Sequence, residues 1–459
     1  MGSVVGKPFD VRNRRVVVVG AARSGIAAAQ LLAARGARVT LTDLRPTIDA
    51  APALQAAGVE IETGGHQAGT LARAELVVVS PGVPVEQTVF DPVRDRGIEI
   101  IGELELASRW LRGRVIAITG TKGKSTTTTL VGRMLEAAGK TVLVGGNIGV
   151  PLTSQVDQST ADTLHVVETS SFQLETTSTF RPWIAVWLNL ADDHLDRHPS
   201  IEAYVDAKAR IFANQTADDW AVINADDPLV VRRSLDASSR TVPFALSGRI
   251  ADGFVVDGNW IVKRTTTGVE KLFLRTAVEL TGLHMLNNVL AATAVASLAG
   301  CDPPAMQRAL RGFRGLPHVM EPVATVGGVR FVNDSKATNV EAARRSIESF
   351  EGGVVAIIGG RFKGGDFNEL RDALTSRGRA VVAIGEAAPL VRDALRDVVP
   401  IVAAGSMSEA VTRAYAAAAP DGVVLLAPAC SSFDWFTDYA ERGERFKSAV
   451  RQLEEEQRG

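Results

Sequence analysis

VIAITGTKGKSTTTT (115–129) is the stretch on which the reading of this chain turns. An apolar, β-branched run leads into Gly120-Thr121-Lys122-Gly123-Lys124-Ser125-Thr126, and a helical segment follows. Glycines let backbone N–H groups turn toward an anion, and the start of a helix adds a partial positive charge. Lys124 can reach the β- and γ-phosphates of a nucleotide, and the Ser125 hydroxyl suits Mg²⁺. The spacing departs from GxxxxGK[ST], because Ile118 stands where the first glycine would fall. The loop is therefore a shortened variant, GTxGKS. Lys122 reads as an exposed extra charge that can assist the phosphates.

The same rhythm recurs on both sides: a short apolar run, a glycine turn, an Ala/Leu-rich helical stretch. The runs are VVVVG (16–20), LVVVSPG (76–82), LHVVE (164–168), AVWLNL (185–190), GVVAIIGG (353–360), AVVAIG (380–385) and GVVLLAPA (422–429). Unbroken apolar runs suit strands covered on both faces, and their alternation with helices predicts doubly wound, mostly parallel sheets. The expected fold class is α/β in three domains. Residues 1–110 form a Rossmann-like domain, 111–315 a central P-loop-type ATP-binding domain and 316–459 a second Rossmann-like domain. The breaks fall after ASRWLRG and at the FRGLP turn. Residues 241–279 read as an antiparallel excursion, since short polar strands there alternate with the DGNW and TTTG turns.

Composition narrows the partners. The 459 residues are 46% hydrophobic and 22% charged, with a net charge of −2. There is no global positive field for a nucleic-acid backbone, so no nucleic-acid partner is expected. The two cysteines cannot build a disulfide framework or a cysteine-based zinc site, and they fit a reducing cytosol. MGSVVGKPFDVRNRR lacks the apolar core of a signal peptide. No uncharged apolar stretch of about 18 residues occurs, so no membrane span is expected, and the location is read as cytoplasmic.

Further motifs end apolar strands with chemistry-bearing residues. In LHVVETSSFQLE (164–175), Glu168 sits at the C-terminal end of a strand, the edge where doubly wound sheets bind ligands. A carboxylate there suits Mg²⁺, which prefers hard oxygens. In AVWLNLADDHLDRHPS (185–200), His194 lies among Asp192, Asp193, Asp196 and His198 as a candidate metal or substrate ligand. In SIEAYVDAKARIFAN (200–214), Lys208 falls on the apolar stripe of Ile201, Tyr204, Ile211 and Phe212. A lysine there must be paired, neutralised or chemically altered, unless it snorkels to solvent. In GVRFVNDSKATN (328–339), Asp334 and Lys336 point the same way if the strand persists. IIGGRFKGGDF (357–367) and LLAPACSSFDWF (425–436) offer Lys363, Ser431 and Ser432 to a ligand. VVVVGAARSG (16–25), with Asp43 ending the next strand, is an imperfect dinucleotide fingerprint whose middle glycine is Ala22.

Taken in order, GTKGKST, GGNIGVP (145–151), ETSSFQLE, NLADDHLDRH, YVDAKARIF, GLHMLNN (282–288), GLPH (315–318), NDSKATN, GGRFKGGDF and PACSSFDWF resemble the Mur ligases over nearly the whole chain. NDSKATN with SSFQLE resembles the branch that adds D-glutamate. The resemblance implies an ATP-dependent amide ligase of cytoplasmic peptidoglycan precursor synthesis. It would join D-glutamate to UDP-N-acetylmuramoyl-L-alanine through an acyl phosphate and release ADP and phosphate. By this resemblance Gly120 to Thr126 and Lys124 hold the phosphates, and Ser125 and Glu168 hold one Mg²⁺. His194 and Lys208 serve a second Mg²⁺, with Lys208 carbamylated. Lys124, His194, Lys208 and Lys336 would be the catalytic set. Ser80, Pro81, Gly82 and Asn147 would contact the UDP-sugar, with Arg23, Ser24, Asp43 and Arg45 near the uracil and phosphates. Asn288, His318, Asp334 and Lys336 would face ATP. Thr338, Lys363, Ser432 and Tyr439 would seat glutamate. The chain departs from the family pattern at Val319, where an arginine is usual, and at Met285, where an asparagine is usual. The same chemistry on another amine such as L-glutamate is the alternative, and a monomer is expected.

Overall fold

Val16 to Val19 are all buried, as are Leu76 to Val79 and Ile116 to Ile118. Such β-branched runs have no polar face to give to solvent, so they become inner strands with helices on both sides. The computed structural model describes residues 9–191, 198, 200–246, 250–279, 283–362 and 364–458. His194 and Lys363 lie outside the described residues, as do Asp192, Asp193 and Asp196. The chain folds as two compact units, Met1–Phe313 and Arg314–Gly459.

The first unit carries two sheets. In one, β1 (Arg15–Val19), β2 (Arg38–Asp43), β3 (Glu60–Thr63), β4 (Leu76–Val79) and β5 (Ile100–Gly102) lie in the order β3-β2-β1-β4-β5. All its pairings are parallel, Val16 standing opposite Val39 on one side and Leu76 on the other. The middle sheet contains β6 (Arg114–Thr119), β7 (Thr141–Gly146), β8 (Thr163–Glu168), β9 (Ile184–Trp187), β10 (Trp220–Asn224), β11 (Arg240–Ala245), β12 (Gly253–Asp257), β13 (Trp260–Thr265) and β14 (Gly268–Leu274). Their order is β14-β13-β12-β11-β10-β9-β6-β8-β7. The chain leaves β6 toward β7 and later returns to its other side as β9, so the strand order reverses at β6. That reversal opens a crevice beyond the carboxyl ends of β6, β8 and β9, where open α/β sheets bind ligands.

The antiparallel excursion starts later than the sequence suggested. β11 pairs parallel with β10, Val222 opposite Val242, and with β12, Phe244 opposite Phe254; only the pairs β12–β13 and β13–β14 are antiparallel. Arg240, Thr241 and Pro243 give β11 a polar pattern, but its end, Phe244-Ala245, is fully buried and extends the parallel order.

The second unit holds β15 (Glu321–Val326), β16 (Val329–Asn333), β17 (Val354–Gly359), β18 (Gly378–Ile384), β19 (Ile401–Ala404) and β20 (Val423–Leu426). Their order is β15-β16-β20-β17-β18-β19, parallel throughout except for the edge pair β15–β16. The whole is three mostly parallel α/β sheets. No helix among the described residues is long and apolar enough to cross a membrane.

Candidate active site at the rim of the middle sheet

The loop after β6 is shaped by two glycines. Gly120 has φ +152°, and a Cβ there would lie 3.0 Å from the Leu188 Cβ. Gly123 has φ +83° and precedes the helix Lys124–Ala137 as its N-cap. A Cβ on Gly123 would sit 2.2 Å from Oδ1 of the buried Asn288, so only glycine fits. Among the described residues no side chain caps this helix, and Thr127 N donates to Gly123 O at 2.9 Å. The N–H groups at the start of this helix face the loop, where a helix N-terminus favours an anion. Lys124 Nζ donates to Gly120 O and Thr121 O, both at 3.0 Å, which folds the ammonium over the same loop. Lys122 is exposed, as expected.

Asn189, which sequence reasoning missed, organises this loop. Its Oδ1 accepts from Thr121 N at 3.1 Å and Lys122 N at 2.8 Å, and its Nδ2 donates to Lys122 O at 3.0 Å. The Thr121 hydroxyl stands 3.1 Å from Tyr204 OH. The one available signal was an asparagine just past an apolar strand, and the acidic run behind it drew the reading further along.

Glu168 ends β8 and is 2% exposed. Ser125 Oγ donates to its Oε2 at 2.6 Å, and Asn147 Nδ2 donates to its Oε1 at 2.8 Å. The expected metal pair Ser125 and Glu168 thus meets, and Asn147 is placed against it. Lys208, on the helix Ile201–Ala209, is 1% exposed and comes to the same place. Its Nζ donates to Gly120 O at 3.0 Å and lies 4.5 Å from the Tyr204 ring centre. A hydroxyl and a carboxylate in contact beside the phosphate loop form a hard-oxygen set that fits Mg²⁺. His198 is buried and holds structure: its Nε2 is 2.9 Å from Ser171 Oγ, its Nδ1 is 3.0 Å from Glu175 Oε1, and its ring stacks on Phe172.

The rim of the first sheet gathers most of its expected residues. Asp43 Oδ2 accepts from Ala21 N at 2.5 Å, and Oδ1 accepts from Arg45 N and Nε at 2.8 and 2.9 Å. The Arg45 side chain holds the Asp43 carboxyl far below the usual range. Ser80 Oγ donates to Gly20 O at 2.8 Å, closing the SPG turn with Pro81 and Gly82 onto the end of β1. A Cβ on Gly25 would lie 1.8 Å from Gly20 O, so the helix Arg23–Ala34 packs closer to the strand than any other residue allows. Ser24 is half-buried at its start. Arg23 donates to Gly149 O, in the same loop as Asn147.

In the second unit, Asp334 and Lys336 do not point the same way. β16 ends at Asn333, so the alternation stops before either residue. Asp334 is buried, accepting from Met320 N at 3.1 Å and from the Ser346 hydroxyl, while Lys336 is exposed. Burial pushes the Asp334 carboxyl above its ordinary value. His318 has φ +64° and is buried; Asn333 Nδ2 donates to its Nδ1 at 2.9 Å. Burial lowers its pKa, which keeps the ring neutral. Lys336 N donates to His318 O at 3.1 Å, so the GLPH and NDSKATN segments meet. Ala429 N donates to Ala337 O at 2.9 Å, bringing the PACSS loop beside Thr338. Ser432 is buried, and the Tyr439 ring lies 6.2 Å from that of His318.

Comparison with known proteins agrees with this arrangement. Residues 14–102 match the Mur ligase MurD-like N-terminal domain, 118–296 the Mur ligase middle domain, and 320–430 the Mur ligase glutamate ligase domain. The chain is 48% identical to the UDP-N-acetylmuramoylalanine–D-glutamate ligase of Acidobacterium capsulatum, over 96% of this chain and 97% of that protein. It is 44% identical to the ligase of the same name from Desulfosudis oleivorans, over 98% of each. Among solved structures, it resembles the UDP-N-acetylmuramate-alanine ligase MurC of Thermotoga maritima, with a TM-score of 0.55 and 20% identity over 96% of this chain and 100% of that one. That likeness shows the fold. With three matching segments in succession and full-length relatives at this identity, the chain belongs to the Mur ligase family.

Proposed function

We propose that the chain joins D-glutamate to UDP-N-acetylmuramoyl-L-alanine at the expense of ATP, in the cytoplasmic synthesis of peptidoglycan precursors. The observation that carries this reading is the meeting of the uncapped helix start at Lys124, the Ser125–Glu168 pair and Lys208 on one rim of the middle sheet. A carboxylate and a triphosphate repel each other, so a site that makes them react must be rich in positive groups and oriented N–H donors. Lys124 and the N–H groups of the loop bind the phosphates. The carboxylate of the precursor takes the γ-phosphoryl group, with ADP leaving, and the amine of glutamate then displaces phosphate to form the amide.

Ser125 and Glu168 would hold one Mg²⁺, and Lys208 as its carbamate, with His194, a second. Bound there, the ions neutralise phosphate charge. A carbamate forms when the neutral amine adds CO₂ and loses a proton, which converts a buried cation into an anionic oxygen donor. Thr338, Lys363, Ser432 and Tyr439 would seat the glutamate. His318, Asp334 and Lys336 support or contact the nucleotide. Arg23, Ser24, Asp43, Arg45, Ser80, Pro81 and Gly82 would receive the UDP end of the precursor. The active species is read as a monomer.

The test is phosphate release with ATP, UDP-N-acetylmuramoyl-L-alanine and either D- or L-glutamate. Release that requires all three substrates and favours the D-isomer supports the reading; release indifferent to glutamate, or equal with the L-isomer, contradicts it. In the same assay Lys208→Ala is expected to lose activity and to regain part of it with short carboxylic acids.

A further inference from the structure

We propose that Arg442 is a positioning residue for the amino-acid substrate, its guanidinium clamping the two loops that carry Lys336, Thr338 and Ser432 into one arrangement. This rests on the reading above that those loops seat glutamate. Arg442 lies on the helix Tyr439–Arg458, whose other inward residues are Gly443, Phe446, Val450 and Leu453. It interrupts an apolar stripe where a leucine would serve packing, yet it is only 1% exposed. Burying an arginine is costly unless its donors are satisfied.

The donors are satisfied by both loops at once. Nε donates to Ser335 Oγ at 2.9 Å and an Nη donates to Ser335 O at 2.9 Å, while the other Nη donates to Cys430 O at 3.0 Å. Ser335 stands between Asp334 and Lys336, and Cys430 stands two residues before Ser432. The Ser335 hydroxyl in turn donates to Tyr439 O at 2.7 Å, tying the NDSKATN loop to the start of the helix. The next residue leaves no slack: a Cβ on Gly443 would lie 2.1 Å from His318 Nδ1. A planar fork with fixed donor directions can set the spacing between two loops. A flexible ammonium cannot set that spacing.

The test is steady-state kinetics on R442K, R442A and S335A, with T338V and S432A as controls, and a thermal midpoint for each. R442K is expected to raise the glutamate KM at least tenfold and to leave the UDP-N-acetylmuramoyl-L-alanine KM within about twofold. Millimolar guanidinium is expected to restore part of the glutamate affinity of R442A. S335A removes one anchor without emptying the core, so it carries the test if R442A does not fold; it should raise the glutamate KM severalfold. A folded R442K and S335A with unchanged glutamate KM, beside T338V and S432A variants that do raise it, overturns the clamp and leaves the glutamate site standing. Unchanged glutamate KM in T338V and S432A as well removes the site itself, and the clamp with it.

Discussion

Glu105 is fully buried and accepts hydrogen bonds from Ser178 N at 2.9 Å, Thr179 N at 3.0 Å and Phe180 N at 2.9 Å. It also accepts from Arg109 Nε at 2.9 Å, and Arg109 bonds Glu99 in turn. This carboxylate ties the helix Glu103–Ser108, which follows the first sheet, to a turn of the middle domain. Burial alone would raise its pKa, but the hydrogen bonds from Thr179 and Ser178 and the Arg109 charge outweigh burial and hold it below its ordinary 4.5. A carboxyl depressed in the folded state contributes stability above the unfolded pKa and loses it as pH falls through the folded one. Glu105→Gln should therefore cost roughly 2–4 kcal/mol at pH 7, with the gap to the wild type closing below about pH 4.5. Denaturant melts across pH check it, and a gap independent of pH would contradict it. None of this was legible in ELELASRW, because a carboxylate bonded to a distant backbone leaves no local pattern. Lys208 was legible, since a charge on an apolar stripe is itself the anomaly.

The helix Lys124–Ala137 depends on the left-handed turn that precedes it. Gly123→Ala would add backbone strain of about 1–2 kcal/mol and drive a methyl into Asn288. The loop would shift, so the ATP KM should rise at least tenfold while the variant still melts cooperatively; ATP titration of the purified variant checks this, and an unchanged KM would contradict it. The strands around this helix were readable as unbroken apolar runs, and each such run is a strand in the structure. What escaped were the places where local pattern and tertiary pairing disagree. The polar pattern of β11 points to the antiparallel excursion of 241–279, yet it pairs parallel with β10 inside the sheet. The Asp334–Lys336 alternation failed because the strand stops one residue too soon. Asn189 escaped because its work is done on another loop.

Viewed whole, the chain sets its uncapped helix start and its Ser125–Glu168 pair at the point where the middle sheet reverses strand order. That placement accounts for the central claim, that a carboxylate and the γ-phosphate of ATP are brought together and react. The claim predicts where an oxygen atom must go. Attack by the carboxylate places one of its oxygens in the acyl phosphate, and displacement by the amine carries that oxygen away in phosphate. The direct measurement is turnover of UDP-N-acetylmuramoyl-L-alanine labelled with ¹⁸O in its carboxylate, followed by mass analysis of the released phosphate. The account predicts one labelled oxygen in phosphate for each amide bond formed; phosphate free of label, with both labelled atoms accounted for elsewhere, would contradict it.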